Sequence, residues 1–354
     1  MQNIKAYIHS HKQALDQYIA DYFTTLIEKR RRISGSSIAD LYTIFKNANE
    51  GGKCIRGSLV KLGYELAADR AIDEKIFPAS AAFEILQTAL LCHDDIIDKS
   101  PLRRGKPSIW QAITNSDTAK GDRHYGISQA ICLGDIGFIL ADMLIEESDF
   151  DTDKKIEALQ MLHRAELNTV DGEMLDVLVA QEKSYDDEDN ILKISRLKTA
   201  WYTIIGPLQL GAVLGGASQE LLDHMTEFGL SLGIAFQLRD DILGVQALEQ
   251  ETGKSDTSDI SEGKVTLLIR HALKNASPEQ LKTLRCLYGN PVASEDDRTK
   301  VLEVFEATGA FAEVSRKAEC YLTEAVKVIP LMTKNEERTV LLTQLGEMMF
   351  QRKA

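Results

Sequence analysis

The chain is poor in cysteine and never pairs it. Cys54, Cys92, Cys132, Cys286 and Cys320 are scattered through 354 residues with no CxxC spacing. An odd set of thiols without metal spacing argues against a disulfide scaffold and a zinc ribbon, and points to reduced thiols in a cytoplasmic protein. Proline is scarce too, 7 residues against 23 glycines, which suits long helices better than many short strands. No alternating apolar–polar run flanked by hairpin turns stands out. A basic stripe is missing: net charge is −13, and the densest cationic run, "EKRRR" from Glu28 to Arg32, closes a predicted helix, where cations are favoured in any case. Nucleic acid is therefore not an expected partner. No apolar core of a signal peptide follows Met1. One long uncharged run, Thr199 to Gln219, contains Pro207 and four glycines; it reads as a buried core helix, so no transmembrane segment is expected.

Helical periodicity fills what remains. Helices are predicted over roughly 3–31, 37–49, 54–69, 75–98, 124–148, 153–182, 187–217, 218–243, 261–275, 278–288, 308–328 and 334–351. Segments 75–93 and 226–239 are apolar on more than one face, which places them inside a bundle. No stretch has the composition of a flexible linker. The expectation is one all-α domain over residues 1–354.

Two of the apolar helices end in acids. In "LLCHDDIIDKSPLRRG", Leu90 to Gly105, Pro101 stops the helix, because the residue before proline avoids the helical region. At about 100° per residue, Asp94, Asp95 and Asp98 fall within one quadrant. The helix dipole disfavours each by about 0.3–1 kcal/mol, so solvent, the nearby Lys99, Arg103 and Arg104, or a bound cation must compensate. "FGLSLGIAFQLRDDILGV", Phe228 to Val245, repeats the pattern with Asp240 and Asp241 before Gly244. One such pair reads as a solvated helix end. Two are harder to dismiss: facing each other across a bundle mouth, they would form a cage of carboxylates that repels itself without cations. Oxygen donors suit hard ions, and Mg²⁺ keeps waters and bridges to substrate phosphates.

Cations recur beside these acids. Lys53 and Arg56 lie in "GGKCIRG", Lys198 opens the uncharged run, Lys254 lies in "ETGKSD" and Lys264 in "SEGKVT". Each alone is a surface cation by default. As a set with Arg103 and Arg104 they suit a metal-bound diphosphate, with metal taking some oxygens and arginine forks others.

In this order the motifs resemble the trans-isoprenyl diphosphate synthases, or polyprenyl synthetases. "DDIID" is similar to the family's DDxxD motif and "GGKCIR" to its GGKxxR motif; "RRG", Lys198–Thr199, "FQLRDD" and "GK…DISEGKVT" follow in family order. The likeness runs from about Gly51 to Thr266 and looks most like bacterial geranylgeranyl diphosphate synthases. It implies an all-α isoprenoid-synthase bundle around a central apolar cavity. It also implies Mg²⁺-dependent condensation of isopentenyl diphosphate with an allylic diphosphate (dimethylallyl, geranyl or farnesyl), three ions with substrate bound, and a homodimer. By the same resemblance Asp94, Asp98 and Asp240 would hold metal, with Asp95 and Asp241 in support. Arg103, Lys198, Thr199, Gln237, Lys254 and Lys264 would hold the allylic diphosphate, and Lys53, Arg56 and Arg104 the isopentenyl diphosphate; Gln87, where many members have histidine, would also bind substrate. Ala89, five residues before Asp94, with Leu90 and Leu86, would set product length near twenty carbons.

Three positions depart from the family pattern. Cys54 stands for a commonly basic residue, Gly57 for a common proline, and Gly244 for a third aspartate. The first two bear on isopentenyl diphosphate binding. A longer-chain synthase and a non-catalytic partner subunit are the alternatives, though such subunits lose aspartates that are present here. A terpene cyclase lacks the GGKxxR-like stretch and the second Asp-Asp pair. His93, beside the acids, reads equally as a structural histidine.

Overall fold

The computed structural model describes residues 3–72, 74–246, 258–290 and 292–351. Its helices are α1 (Ile4–Ser34), α2 (Ser36–Asn49), α3 (Ile55–Ala68), α4 (Phe77–Ile97), α5 (Ile109–Thr114), α6 (Arg123–Glu146), α7 (Thr152–Glu182), α8 (Glu188–Ile194), α9 (Gly206–Gly215), α10 (Gln219–Gln246), α11 (Ser258–Glu262), α12 (Leu267–Asn275), α13 (Pro278–Leu287), α14 (Glu295–Ala307), α15 (Ala310–Met332) and α16 (Glu336–Phe350). A π-helical stretch, Ser195–Ile205, joins α8 to α9. Among the described residues the only strands are β1 (Leu102–Arg103) and β2 (Lys106–Pro107), paired antiparallel. The all-α expectation holds.

Contacts group the chain into two compact units, Met1–His163 with Gly206–Leu222, and Arg164–Ile205 with Asp223–Ala354. In the first, α3 lies against α9 at two glycines. A Cβ on Gly63 would sit 2.0 Å from the Leu208 carbonyl oxygen, and one on Gly211 1.8 Å from that of Val60. Phe23, Phe45, Phe83, Leu15, Leu59 and Leu62 fill this unit's interior. The second unit closes around Leu238, Leu268, Val301, Phe305, Ala310 and Ala318.

Several boundaries differ from the sequence reading, each for a local reason. The single helix expected over 261–275 breaks after Glu262, where Gly263 takes φ 70°, a conformation glycine adopts freely. The helix expected over 187–217 is divided by the π-helical stretch. Helices α5 and α14 were not expected. The second carries a legible signal, the reciprocal capping box of Ser294 and Asp297. The small hairpin is also unexpected; Arg104 and Gly105 both take positive φ, 55° and 71°, the turn geometry that suits the twist of paired strands.

The uncharged run behaves as expected, since Thr203 through Leu214 are buried. Two other helical stretches, Glu74–Ile97 and Arg123–Glu146, are long and apolar enough to cross a membrane. The apolar window of the first is 67% buried, as in a core helix, and that of the second 39%.

Candidate active site

Helix α4 buries Phe83, Ile85, Leu86, Ala89 and Cys92 and then ends in acids. Asp94 and Asp95 occupy its last turn, and Asp98 is the C-cap, its N–H donating to the Asp94 carbonyl at 2.8 Å. Asp95, 3% exposed, meets Arg103, whose Nε donates to Asp95 Oδ1 at 2.9 Å and whose Nη2 donates to Asp94 Oδ2 at 2.8 Å. The hairpin turns Arg103 back onto the acids. Burial opposes the guanidinium charge, but Asp95 and Asp94 outweigh it and hold the pKa above the usual arginine value. Trp110 Nε1 donates to the carbonyls of Asp95 (3.1 Å) and Ser100 (3.0 Å), fixing the turn. Carboxylate oxygens of Asp94 and Asp98 approach within 4.8 Å of each other. This oxygen-only pair fits a hard divalent ion.

The first basic motif is built beside the same helix. Gly51 takes φ 80° and Cys54 φ 50° before α3 begins. Lys53 is exposed, and Arg56 is half-buried in the first turn of α3. A Cβ on Gly52 would lie 3.6 Å from Arg104 Nη1 and 3.9 Å from Glu84 Oε2. Glu84, 6% exposed, accepts the Gly57 N–H on Oε1 at 2.8 Å. Gln87 lies half-buried nearly one turn further along α4. A cavity of about 590 Å³ opens alongside, lined by Gly51, Thr88, Leu91, Asp95, Arg103 and Arg104 among others. Where the family commonly has a base, the Cys54 thiol donates to Asp16 Oδ1 at 3.3 Å. Lys12 Nζ of α1 stands 4.0 Å from its sulfur. Burial pushes this thiol up, reinforced by Glu84 and Asp16, so it is no nucleophile.

In the second unit the π-helical stretch carries Lys198 and Thr199. Lys198 Nζ contacts Glu173 Oε2 at 2.8 Å and Asp176 Oδ2 at 2.9 Å. Gly172 permits this approach, because a Cβ there would sit 2.2 Å from the Lys198 nitrogen. Thr199 Oγ1 donates to Gln237 Oε1 at 2.5 Å, and Gln237 Nε2 donates to Asp241 Oδ1 at 2.8 Å. Four expected residues thus form two linked sets, with Asp240 adjacent to Asp241 in α10. π-Helical turns recur at functional sites. Lys264 lies between α11 and α12, 3.9 Å from Glu262, and its carbonyl accepts the Tyr288 hydroxyl at 2.6 Å. Lys254 lies outside the described residues.

The remaining candidates divide by packing. His93 is structural: its ring covers Gly134, stacks on Phe138 with centroids 5.9 Å apart, and lies 3.2 Å from the Ile131 carbonyl through Nε2. Ala89 is fully buried against α6, where a Cβ on Gly137 would fall 2.6 Å from its own and 2.8 Å from Phe45 Cζ. Leu86 is fully buried and Leu90 half-buried. Sequence reasoning missed Glu84, Glu173 and Asp176. A lone charge inside the apolar run "SAAFEILQTALLC" was the signal for the first. The other two look like a solvated helix face.

The polyprenyl synthetase family pattern matches residues 39–305. A geranylfarnesyl diphosphate synthase of Aeropyrum pernix is 31% identical over 89% of this chain and 91% of its own. A geranylgeranyl diphosphate synthase of Sulfolobus acidocaldarius is 29% identical over 79% and 82%. Among solved structures, a geranylgeranyl pyrophosphate synthase from Corynebacterium glutamicum, crystallised with isoprenyl diphosphate and magnesium, superposes with a TM-score of 0.88 at 29% identity, covering 96% of this chain and 99% of that one. With a family pattern spanning most of its length and a relative 31% identical over 89% of it, the chain belongs to the polyprenyl synthetase family, the trans-isoprenyl diphosphate synthases.

Proposed function

We propose that this prenyltransferase condenses isopentenyl diphosphate head-to-tail with an allylic diphosphate and releases trans-prenyl diphosphates, chiefly geranylgeranyl diphosphate. The observation that carries the reading is the doubled acidic helix end, each copy with cationic or amide side chains beside it that could donate to diphosphate oxygens. Asp94, Asp98 and Asp240 would hold Mg²⁺, with Asp95 and Asp241 in support; the metal supplies positive charge where the departing diphosphate becomes negative. Arg103, Lys198, Thr199, Gln237, Lys254 and Lys264 serve the allylic diphosphate. Lys53, Arg56, Gln87 and Arg104 orient isopentenyl diphosphate so that its double bond meets the allylic carbon, and positioning supplies much of the rate. Apolar walls deny water to the allylic cation. The proton lost at the end goes to the released diphosphate, since His93 is committed to packing. The chain acts as one catalytic domain over residues 1–354.

The twenty-carbon product is supported by the row Leu86, Leu90, Asp94, spaced four residues apart on α4. Its two apolar members are aliphatic, so neither places a ring beneath the acids. Relatives named for farnesyl and geranylfarnesyl products bracket that length, others are named for geranylgeranyl diphosphate itself, and a longer-chain product is the alternative. A cytoplasmic homodimer completes the proposal. Leu167, Val170, Met174 and Val177 form an exposed apolar row on α7, and α6 exposes Ile131 and Ile139, the kind of surface that marks association. Incubation with isopentenyl diphosphate, each allylic primer and Mg²⁺, followed by sizing of dephosphorylated products, tests the activity. No elongation with any primer would overturn it. Sedimentation at micromolar concentration tests the dimer, and a fully active monomer would refute that part.

A further inference from the structure

Glu84 is the one ionisable residue in the middle of α4, and its carboxylate lies in the interior rather than in water. Burying a carboxylate is costly unless donors and countercharges surround it. Oε1 takes the Gly57 N–H at 2.8 Å. Burial holds its carboxyl above the usual range, an effect that the Gly57 bond, Arg56 and Arg104 offset only in part; Asp16 of α1 adds a weaker repulsion. Both arginines belong to the motifs that face isopentenyl diphosphate. A Cβ on Gly52 would come within 3.9 Å of Glu84 Oε2 and 3.6 Å of Arg104 Nη1, so carboxylate, guanidinium and motif backbone converge on one spot.

Gly57 supplies the N–H on which the arrangement depends. A proline, common at this position in the resembling family, has no N–H to give. Here the N–H goes to Glu84, and the Gly57 carbonyl accepts Ser80 Oγ at 2.9 Å. Ser80 Oγ is in turn 3.1 Å from His11 Nε2. Both sides of the Gly57 peptide backbone are held, and Arg56 is the neighbouring residue.

We infer that Glu84 is a positioning residue for isopentenyl diphosphate, fixing Arg56 and Arg104 at the first basic motif from beneath. The inference rests on the isopentenyl diphosphate role proposed above. Its signature is a sign. A buried anion beside a diphosphate site repels the ligand, so removing its charge strengthens binding by Coulomb's law alone. A positioning carboxylate does the reverse, because the arginines lose the partner that orders them.

The test is Glu84→Gln, which keeps an oxygen for the Gly57 N–H, removes the charge and replaces the oxygen facing the guanidinium side by an amide donor. Steady-state kinetics with farnesyl diphosphate and Mg²⁺ should show KM for isopentenyl diphosphate raised about tenfold, with kcat and the KM for farnesyl diphosphate within threefold of the parent; that split marks a binding rather than a chemical defect. An unchanged KM would reduce Glu84 to a hydrogen-bond acceptor, and a lowered KM would make it a plain repulsive charge; either overturns the inference. Glu84→Asp keeps the charge with a shorter reach. Should Glu84→Gln fail to fold, this variant carries the test: a KM raised threefold or more supports the role, and a normal KM overturns it. The parent enzyme is assayed alongside. If it does not condense, the proposed function fails; if it does and the variants bind normally, only the role of Glu84 fails.

Discussion

Asp95 and Asp241 occupy the same place in two copies of one local sequence, Asp-Asp-Ile closing an apolar helix, yet their surroundings differ in kind. Asp95 is buried and meets the guanidinium of Arg103. Asp241 receives a hydrogen bond from the neutral amide of Gln237, itself held by Thr199. The lysine nearest to Thr199 in sequence, Lys198, is gripped by Glu173 and Asp176. The first acidic end thus carries its own countercharge, supplied by a hairpin a few residues downstream. At the second end Gln237 and Thr199 align Asp241 through neutral dipoles, and the neighbouring Lys198 stands in an acidic cradle. Identical dipeptides need not serve identical ends: one copy is coupled to folding through a buried ion pair, and the other is coupled through orientation.

The largest expected effect removes that distinction, because the proposed metal binding would make both ends equally necessary. Asp94→Ala and Asp240→Ala should each lower turnover by about 10²–10³-fold, the scale of losing one preorganised charge-stabilising contact. Each melting temperature should stay near the parent's. Chelation with EDTA should abolish product and added Mg²⁺ restore it. Near-normal turnover in either folded variant would dismantle the assignment of its acidic end.

The next effect separates the two ends. Arg103→Ala leaves Asp95 buried without its countercharge, and breaking a buried pair costs about 3–5 kcal/mol. Lys198→Ala removes a lysine whose contacts retain solvent, with all three side chains about one-fifth exposed; the loss should be nearer 1.5–3 kcal/mol, that of hydrogen bonds to a charged group. Urea unfolding of both variants measures the difference. Equal losses would mean that the two ends are built alike after all.

A third effect belongs to the basic motif. His11 is buried against Ser80, and desolvation with Lys61 nearby lowers its pKa to about 4, against a raising contact with the Gly57 backbone. The unfolded chain, with the imidazole near its ordinary value, binds the extra proton first as pH falls. His11 therefore contributes stability that is whole above about pH 6.5 and is lost between there and pH 4, on the order of 3 kcal/mol. Urea midpoints across that window should fall steeply in the parent and less steeply in His11→Gln. Parallel slopes would show that His11 does not titrate there.

How far the sequence disclosed these regions depends on what each residue type advertises. Long apolar helices announce themselves by period, so α1, α3, α4, α6 and α10 lay close to their expected bounds. The π-helical stretch did not, because its extra residue per turn leaves an apolar run looking like ordinary helix. The motif acids and bases were legible as charges at apolar helix ends. Their partners were less so: Glu173 and Asp176 sit on a helix of mixed polarity, where acids need no explanation. Gly57 read only as a departure, since its N–H acquires meaning when Glu84 is seen beneath it. Ala89 was a spacing argument, and spacing cannot tell which neighbour a small side chain meets.

The smallest effect concerns that last point and changes the product rather than the rate. Residues four apart stack on one helix face, so Leu90 and Leu86 continue the row of Asp94 down α4. Ala89 lies about 100° away, packed on Gly137 and Phe45. A ring at position 90 enters the space beneath the acids, where Leu90 is only half-buried. A ring at position 89 meets the α6 backbone, and interiors hold few voids large enough to take it; overpacking of that kind costs about 1–3 kcal/mol. Leu90→Phe should therefore shift the distribution toward fifteen carbons with turnover within threefold of the parent. Ala89→Phe should chiefly lower the melting temperature. Chromatography of dephosphorylated products, run beside thermal melts of both variants, decides between the two positions. A shortened product from Ala89→Phe with an unchanged melt would return the floor of the cavity to Ala89.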